Sequence, residues 1–219
     1  WVSTWHGRDK YFDAFIATTK KHGIEPQNAD PEFWPGTDWR DKHWFRKTEA
    51  QYRYIVDHPQ HEYYVFSDAY DIVVACGWDE IMEKYKALDS PLVFGAECYP
   101  WPKTEQAELY PPTTDRCRYR NAGCWIGEAK AAKEFLLEAA TIASRREQCD
   151  QGIFVDMFLS KKHPIKLDTA CSILFCCNID SLDYLKLRDG RPTYECNGQK
   201  PCVFHGNGAS PLLEVCKML

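Results

Sequence analysis

The stretch Tyr63-Tyr64-Val65-Phe66-Ser67-Asp68-Ala69-Tyr70-Asp71-Ile72-Val73-Val74 decides the fold. Its first four residues form a short apolar run suited to a buried central strand. Two carboxylates three positions apart follow at the strand's carboxyl end. In an open α/β sheet, ligands bind outside the carboxyl ends of the strands, so both acids are expected to face a cleft. Two neighbouring aspartates repel each other. A divalent cation relieves that cost and keeps open positions for phosphate oxygens. The competing reading is a helix cap plus a surface acid, and Asp-x-x-Asp alone does not separate the two.

Outward from this stretch the chain alternates between strand and helix. Trp1 to Trp5 reads as a first strand and Lys10 to His22 as an amphipathic helix ended by Gly23. Glu25 to Lys42 is rich in Pro, Gly, Asp and Asn, which predicts a long loop of the kind that often serves function. A helix is expected over Arg46 to His58 with Ala50, Tyr54 and Ile55 buried, and another over Trp78 to Ala87. A strand over Pro91 to Ala96, a Pro-rich loop holding Trp101, and helices over Ala129 to Arg146 and Asp150 to Ser160 follow. Lys166 to Asp168 begins a strand region, and Pro201 to Phe204 is a short last strand. This order predicts one α/β domain over residues 1–219, with a mostly parallel, Rossmann-like sheet flanked by helices.

Composition narrows the partners. With 27 Lys plus Arg against 32 Asp plus Glu the formal charge is -5, so nucleic acid is not an expected partner. No apolar run reaches the length of a membrane span. The chain opens directly on strand-like residues, as a chain trimmed of an upstream segment would. The 11 cysteines are an odd number, so at least one thiol lacks an intramolecular partner. Most read as small buried hydrophobes. Cys117, Cys149, Cys196 and Cys202 lie in polar surroundings where an oxidising compartment would allow disulfides.

A second constellation is Phe204-His205-Gly206-Asn207-Gly208, where flanking glycines let backbone amides approach a ligand. His205 is either a third metal ligand beside Asp68 and Asp71 or a histidine in a glycine turn. An imidazole among oxygen ligands favours Mn2+, with Mg2+ as the alternative.

In this order the motifs resemble the glycosyltransferase domain of the procollagen lysyl hydroxylases and its viral relatives. The resemblance runs over about residues 46 to 210 through Phe66 to Asp71, Val93-Phe94-Gly95-Ala96, Trp101-Pro102, Arg118-Tyr119-Arg120-Asn121-Ala122-Gly123, Asp150-Gln151 and His205 to Gly208. It implies the GT-A fold and a UDP-sugar donor, with Asp68, Asp71 and His205 holding Mn2+. It also implies Tyr70 near the uracil and Trp101 and Asn121 on the sugar side, while Gly206 and Gly208, by their place after the last strand, are expected to bring backbone amides to the donor. Lys47 falls close to the family's donor-binding lysine, with Arg46 competing for that role. The implied acceptor is a glycan or a hydroxylysine-type protein side chain, and the implied hexose is glucose or galactose. A secretory lumen and the host cytoplasm of a viral protein both fit.

Asp150-Gln151-Gly152 is similar to the helix start of glycogenin-like enzymes, which makes Asp150 and Gln151 candidate catalytic groups. The other reading of Asp150 is an acid favoured by the helix dipole. Glu97, past the 91–96 strand, is expected to act as a base or to hold a hydroxyl. Where the family carries a run of aspartates, this chain has Gln148-Cys149-Asp150, one carboxylate fewer. A binding module of the same fold and a metal-dependent nucleotidyltransferase or phosphohydrolase are the rival functions.

Overall fold

A computed structural model describes residues 1–5, 7–30, 44–143, 149–178, 180–208 and 210–219. The order is β1 (Val2–Ser3), α1 (Lys10–Lys21), β2 (Gln27–Asn28), α2 (Trp44–Asp57), β3 (Tyr63–Ser67), β4 (Ile72–Val74), α3 (Trp78–Ala87), β5 (Leu92–Glu97), β6 (Tyr119–Glu128), α4 (Ala129–Ala143), α5 (Asp150–Leu159), β7 (Ile165–Asp168), β8 (Leu174–Cys176), β9 (Leu185–Arg188), β10 (Arg191–Tyr194), β11 (Val203–His205) and α6 (Leu212–Cys216). The nine-stranded main sheet runs β2-β1-β3-β6-β5-β8-β11-β4, with β7 on β5, and β9 and β10 form a separate hairpin. Five of the eight pairings in the main sheet are parallel, and three are antiparallel. The fold is therefore the expected α/β sheet of the GT-A kind, with its antiparallel contacts at β6 and β4.

Local chemistry explains the elements. Asp9 caps α1 by accepting from the amides of Tyr11 and Phe12. The helix stops before Gly23, whose φ of 69° suits a left-handed position. In α3 the acids Asp79 and Glu80 sit in the first turn and Lys84 and Lys86 in the last, each matching the helix dipole. Helix α5 buries residues all round, including Asp150 and Gln151, so it lies against the sheet rather than on its surface. The core between sheet and helices is aromatic. Trp125 lies 4.5 Å from Phe66 and 4.9 Å from Phe94, and Phe135 lies 4.8 Å from Phe154.

Several expectations need correction. The segment between the 91–96 strand and α4 is not all loop, because β6 occupies Tyr119–Glu128. Buried on both faces between β3 and β5, this strand carries no alternating pattern, and Arg120 and Asn121 disguise it. The strand expected over Trp1 to Trp5 shrinks to Val2–Ser3. Ala50 and Ile55 are buried while Tyr54 is only partly so. The last turn of the helix expected to reach Arg146 lies outside the described residues, as do residues 31–42 of the loop expected over Glu25 to Lys42, within which Gln27–Asn28 form the strand β2. Strands β4 and β8, the β9–β10 hairpin and α6 were not legible at all.

Two disulfides join Cys76 to Cys202 and Cys98 to Cys117, with Cα atoms 5.0 Å and 4.1 Å apart. Cys117 and Cys202 thus pair, whereas Cys149 and Cys196 are free. The first bridge ties the end of β4 to the start of β11, and the second closes the loop that carries Trp101.

Candidate functional site

The carboxyl ends of β3, β5 and β11 and the amino end of α5 meet at one place. Asp68 and Asp71 stand on the turn between β3 and β4, and His205 is the last residue of β11. One ligand atom from each of the three lies within 4.8 Å of the others. Nε2 of His205 is 3.2 Å from a carboxylate oxygen of Asp71 and 3.6 Å from one of Asp68. Neighbouring ligands of an ion at roughly 2.1 Å would stand about 3 Å apart, close to the two separations His205 makes with the carboxylates. Oδ1 of Asp71 is buried without a hydrogen-bond partner among the described residues, and the His205 ring also meets the Cys176 side chain. The donor set, two carboxylates and one imidazole, suits Mn2+.

Backbone contacts hold this turn in place. The amide of Asp68 donates to the carbonyl of Gly123 at 2.8 Å, and that of Gly206 to the carbonyl of Asp71 at 2.6 Å. On β6 the four residues Asn121 to Cys124 stand opposite the single Gly95 of β5, because Phe94 pairs Trp125 while Ala96 pairs Arg120. This bulge presents Gly123 to the imidazole. A Cβ there would lie 2.1 Å from Cε1 of His205. Gly123→Ala is therefore expected to displace His205, weaken Mn2+ binding at least about tenfold and cost about 1–3 kcal/mol of stability. Calorimetric Mn2+ titration and thermal denaturation measure both.

Electrostatics follow from burial and pairing. Burial alone would lower the His205 pKa, but Asp71 and Asp68 beside it hold it well above the ordinary value. Burial would raise Asp68, yet Lys47 and His205 hold it well below the usual carboxylate range. Lys47, in the first turn of α2, sends its ammonium to Asp68 at 2.8 Å and to Asp150 at 2.6 Å. Burial opposes its charge, but these two carboxylates more than compensate and raise its pKa. Lys47 thus links the metal cluster to α5, whereas Arg46 is exposed.

A second polar group adjoins the first. Glu97, at the end of β5, accepts from Nε2 of Gln151 and from Nδ2 of Asn207, the latter at 2.8 Å. Gln151 also donates to the carbonyl of Trp101 at 2.9 Å and accepts from the amide of Ala122 at 3.3 Å. Asn121 is buried, its Oδ1 accepting from the amide of Gly123, and its side chain also bonds Glu97. Burial pushes the Glu97 carboxyl up to about 7 against the opposing hydrogen bond of Gln151. Trp101, whose carbonyl joins this group, is 53% exposed.

The structure brings together Asp68, Asp71, His205, Lys47 and Asp150 in one cluster, and Glu97, Gln151, Asn121 and the Trp101 backbone in the next. Gly206 follows His205 directly, packed so closely that a Cβ would lie 2.6 Å from Oγ of Ser210, and Gly208 has a φ of 69°. Tyr70 stands apart from the ligands, its ring 5.9 Å from Phe12 and its hydroxyl 3.5 Å from the carbonyl of Gly7. Asn207 went unassigned although it lies within the glycine motif. The Lys47 bridge and the burial of Arg120 had no sequence signal. Cys76, Cys202 and Glu80 also cluster, but the sulfurs bond each other and Glu80 is engaged by Lys84 and Arg191.

An α/β sheet with carboxylates, imidazole and an acid-amide pair at its strand ends has the make-up of a glycosyltransferase. A solved glycosyltransferase involved in the glycosylation of the major capsid of PBCV-1 has the same fold, with a TM-score of 0.55 over 99% of this chain and 96% of that one, at 12% identity. The family model described as the PLOD GT domain matches residues 46–214, and the chain belongs to that family of glycosyltransferase domains. Among relatives, an uncharacterized protein of Acanthamoeba polyphaga mimivirus is 27% identical over 154 residues, 68% of this chain and 32% of the relative. The procollagen-lysine,2-oxoglutarate 5-dioxygenase of Drosophila melanogaster is 29% identical over 153 residues, 67% of this chain and 21% of the relative. The multifunctional procollagen lysine hydroxylase and glycosyltransferase of Homo sapiens is 28% identical over 153 residues, 68% and 21% of the two chains. The aligned region is thus at most a third of these relatives. No helix among the described residues is long and apolar enough to cross a membrane.

Proposed function

We propose that residues 1–219 are one catalytic domain that moves a hexose, glucose or galactose, from a UDP-sugar to a hydroxyl of a glycan or a hydroxylysine-type side chain. The observation that carries this reading is the Lys47 bridge, which couples a three-ligand metal cluster to Asp150 at the start of α5. Asp68, Asp71 and His205 would hold Mn2+. A bound divalent cation supplies positive charge to the pyrophosphate oxygens as UDP departs. Lys47 adds a second positive charge on the same side, and Gly206 and Gly208 let the backbone after β11 approach the phosphates. Asp150 and Gln151 lie beside the transferred sugar. Asn121 fixes Glu97, and Glu97 orients the acceptor hydroxyl and takes its proton. Tyr70 offers the uracil a flat face at the far end, and Trp101 stacks on a pyranose.

UDP is expected to bind measurably only with a divalent cation, Mn2+ being best, because Asp68 and Asp71 otherwise repel the pyrophosphate. Titration calorimetry with and without metal tests this, and equal metal-free affinity would remove the metal cluster from the reading. UDP release from UDP-glucose or UDP-galactose then separates an enzyme from a binding module, which would bind UDP without turnover.

The Glu97 shift sets a pH dependence. Its pKa of about 7 in the folded chain lies above the ordinary 4.5, so its stabilising contribution is full below pH 4.5 and is lost as pH rises through 7. A proton acceptor must be ionised, so turnover is expected to rise through the same window. Glu97→Gln should remove that limb and lower turnover about 10²-fold or more. A pH–rate profile with the limb intact in the variant would exclude Glu97 as the base.

A further inference from the structure

Arg120 is fully buried on β6, opposite Ala96 of β5 and next to the Asn121–Cys124 bulge. Nε, Nη1 and Nη2 of its guanidinium have no hydrogen-bond partner among the described residues. Its charged carbon lies 4.1 Å from the centre of the Phe94 ring and 4.3 Å from that of Phe154. Cation–π contacts return only part of what burying an unpaired cation costs, and an apolar side chain would fill this space more cheaply. A core arginine on these terms needs a reason outside packing.

Position supplies it. Phe154 follows Asp150 by four residues on α5, so the two share one helix face, and the guanidinium against Phe154 lies beneath Asp150. On the strand side Arg120 stands opposite Ala96 and shares the Phe94 face of the sheet. The Tyr110 hydroxyl, Asp150 and Glu97 act electrostatically on it, in that order. Lys47 reaches Asp150 from the α2 side at 2.6 Å, leaving the core side of that carboxylate to Arg120. Burial pulls the Arg120 pKa down to about 9, so it stays cationic at neutral pH.

We propose that Arg120 is a positioning residue, a fixed countercharge beneath the site that stabilises the Asp150 carboxylate without touching donor or acceptor. This rests on the assignment of Asp150 to the transfer step.

The test compares the parent with Arg120→Met and Arg120→Lys. It follows UDP release from UDP-glucose and UDP-galactose with Mn2+, UDP affinity by calorimetry, and Tm. Arg120→Met is expected to lower kcat on the order of 10- to 100-fold with KM and UDP affinity within about threefold. Its Tm should stay within about 4 °C of the parent or rise, since an unpaired buried charge is removed. Arg120→Lys should recover most of kcat. In an Asp150→Asn background, Arg120→Met should lower kcat by no more than about twofold. Parental kcat in a folded Arg120→Met, or a loss that lysine does not restore, would overturn the proposal. Should Arg120→Met not fold, Arg120→Leu takes its place with the same expected loss. A parent that releases no UDP from any donor would overturn the transferase reading instead. The charge coupling then stands or falls on whether the Tm shift of Arg120→Met differs by about 2 °C or more between the parent and Asp150→Asn backgrounds.

Discussion

Asp71→Ala and His205→Ala are expected to abolish metal-dependent UDP binding, and turnover with it, while leaving the fold intact. Each removes one of the three proposed ligands from a closely spaced set. Loss of a ligand weakens a metal site by at least the 10–100-fold typical of changes in its surrounding shell, and the pyrophosphate then meets the remaining carboxylate unshielded. Asp71→Ala removes the carboxylate that His205 meets at 3.2 Å but spares the Lys47 bridge. Asp68→Ala does more, since it strips buried Lys47 of one of two carboxylates. A further stability loss of about 1–3 kcal/mol is expected there, below the cost of leaving a buried charge wholly unpaired. Metal must also displace the proton that Asp71 and Asp68 favour on His205, so Mn2+ affinity should rise with pH. Titration calorimetry with Mn2+ and UDP on the three variants gives the answer. Parental UDP affinity in Asp71→Ala would take Asp71 out of the ligand set.

Asp150→Asn should lower turnover about 10²- to 10³-fold while changing UDP affinity by no more than a few-fold. The amide keeps size and hydrogen bonding but removes the charge that Lys47 meets at 2.6 Å. If that charge acts in the transition state, the loss falls on kcat rather than on ground-state binding. The alternative is an acid serving only the dipole of α5, worth about 0.3–1 kcal/mol of stability and nothing in turnover. Steady-state UDP release beside equilibrium UDP binding separates the two. Undiminished kcat in Asp150→Asn would reduce Asp150 to a structural partner of Lys47.

The fold was legible where burial is periodic or punctuated. Helix α3 spans Trp78–Ala87 as its sequence predicts, with acids first and lysines last. Helix α5 begins at Asp150, and β3 runs into Asp68 as the Tyr63-to-Phe66 stretch requires. Illegible were elements whose burial comes from neighbours distant in sequence. Strand β6 is held by β3 and β5 on its two edges, and the register break opposite Gly95 exists only through that pairing. The three residues of β4 are a strand because β11 lies antiparallel to them.

By itself the sequence determined the residue types and their places at strand ends: Asp68 and Asp71 after β3, Glu97 at the end of β5, Asp150 and Gln151 opening α5, His205 ending the last strand. Local patterning suffices for this, because a polar group directly after a buried apolar run has to face a cleft or a partner. Tertiary structure decided which of them meet. Lys47 is separated by 21 residues from Asp68 and by far more from Asp150, yet one ammonium contacts both. Tyr70, flanked in sequence by both aspartates, turns away toward Phe12. Arg120 stands in the chain within the Arg118-to-Gly123 motif with no sign of its burial, and only the packing of β6 against α5 sets its unpartnered guanidinium against Phe154, on the helix face that carries Asp150. The physical reason is the same in each case. Charge interactions and desolvation depend on distances across the sheet, and strand register sets those distances while sequence separation does not.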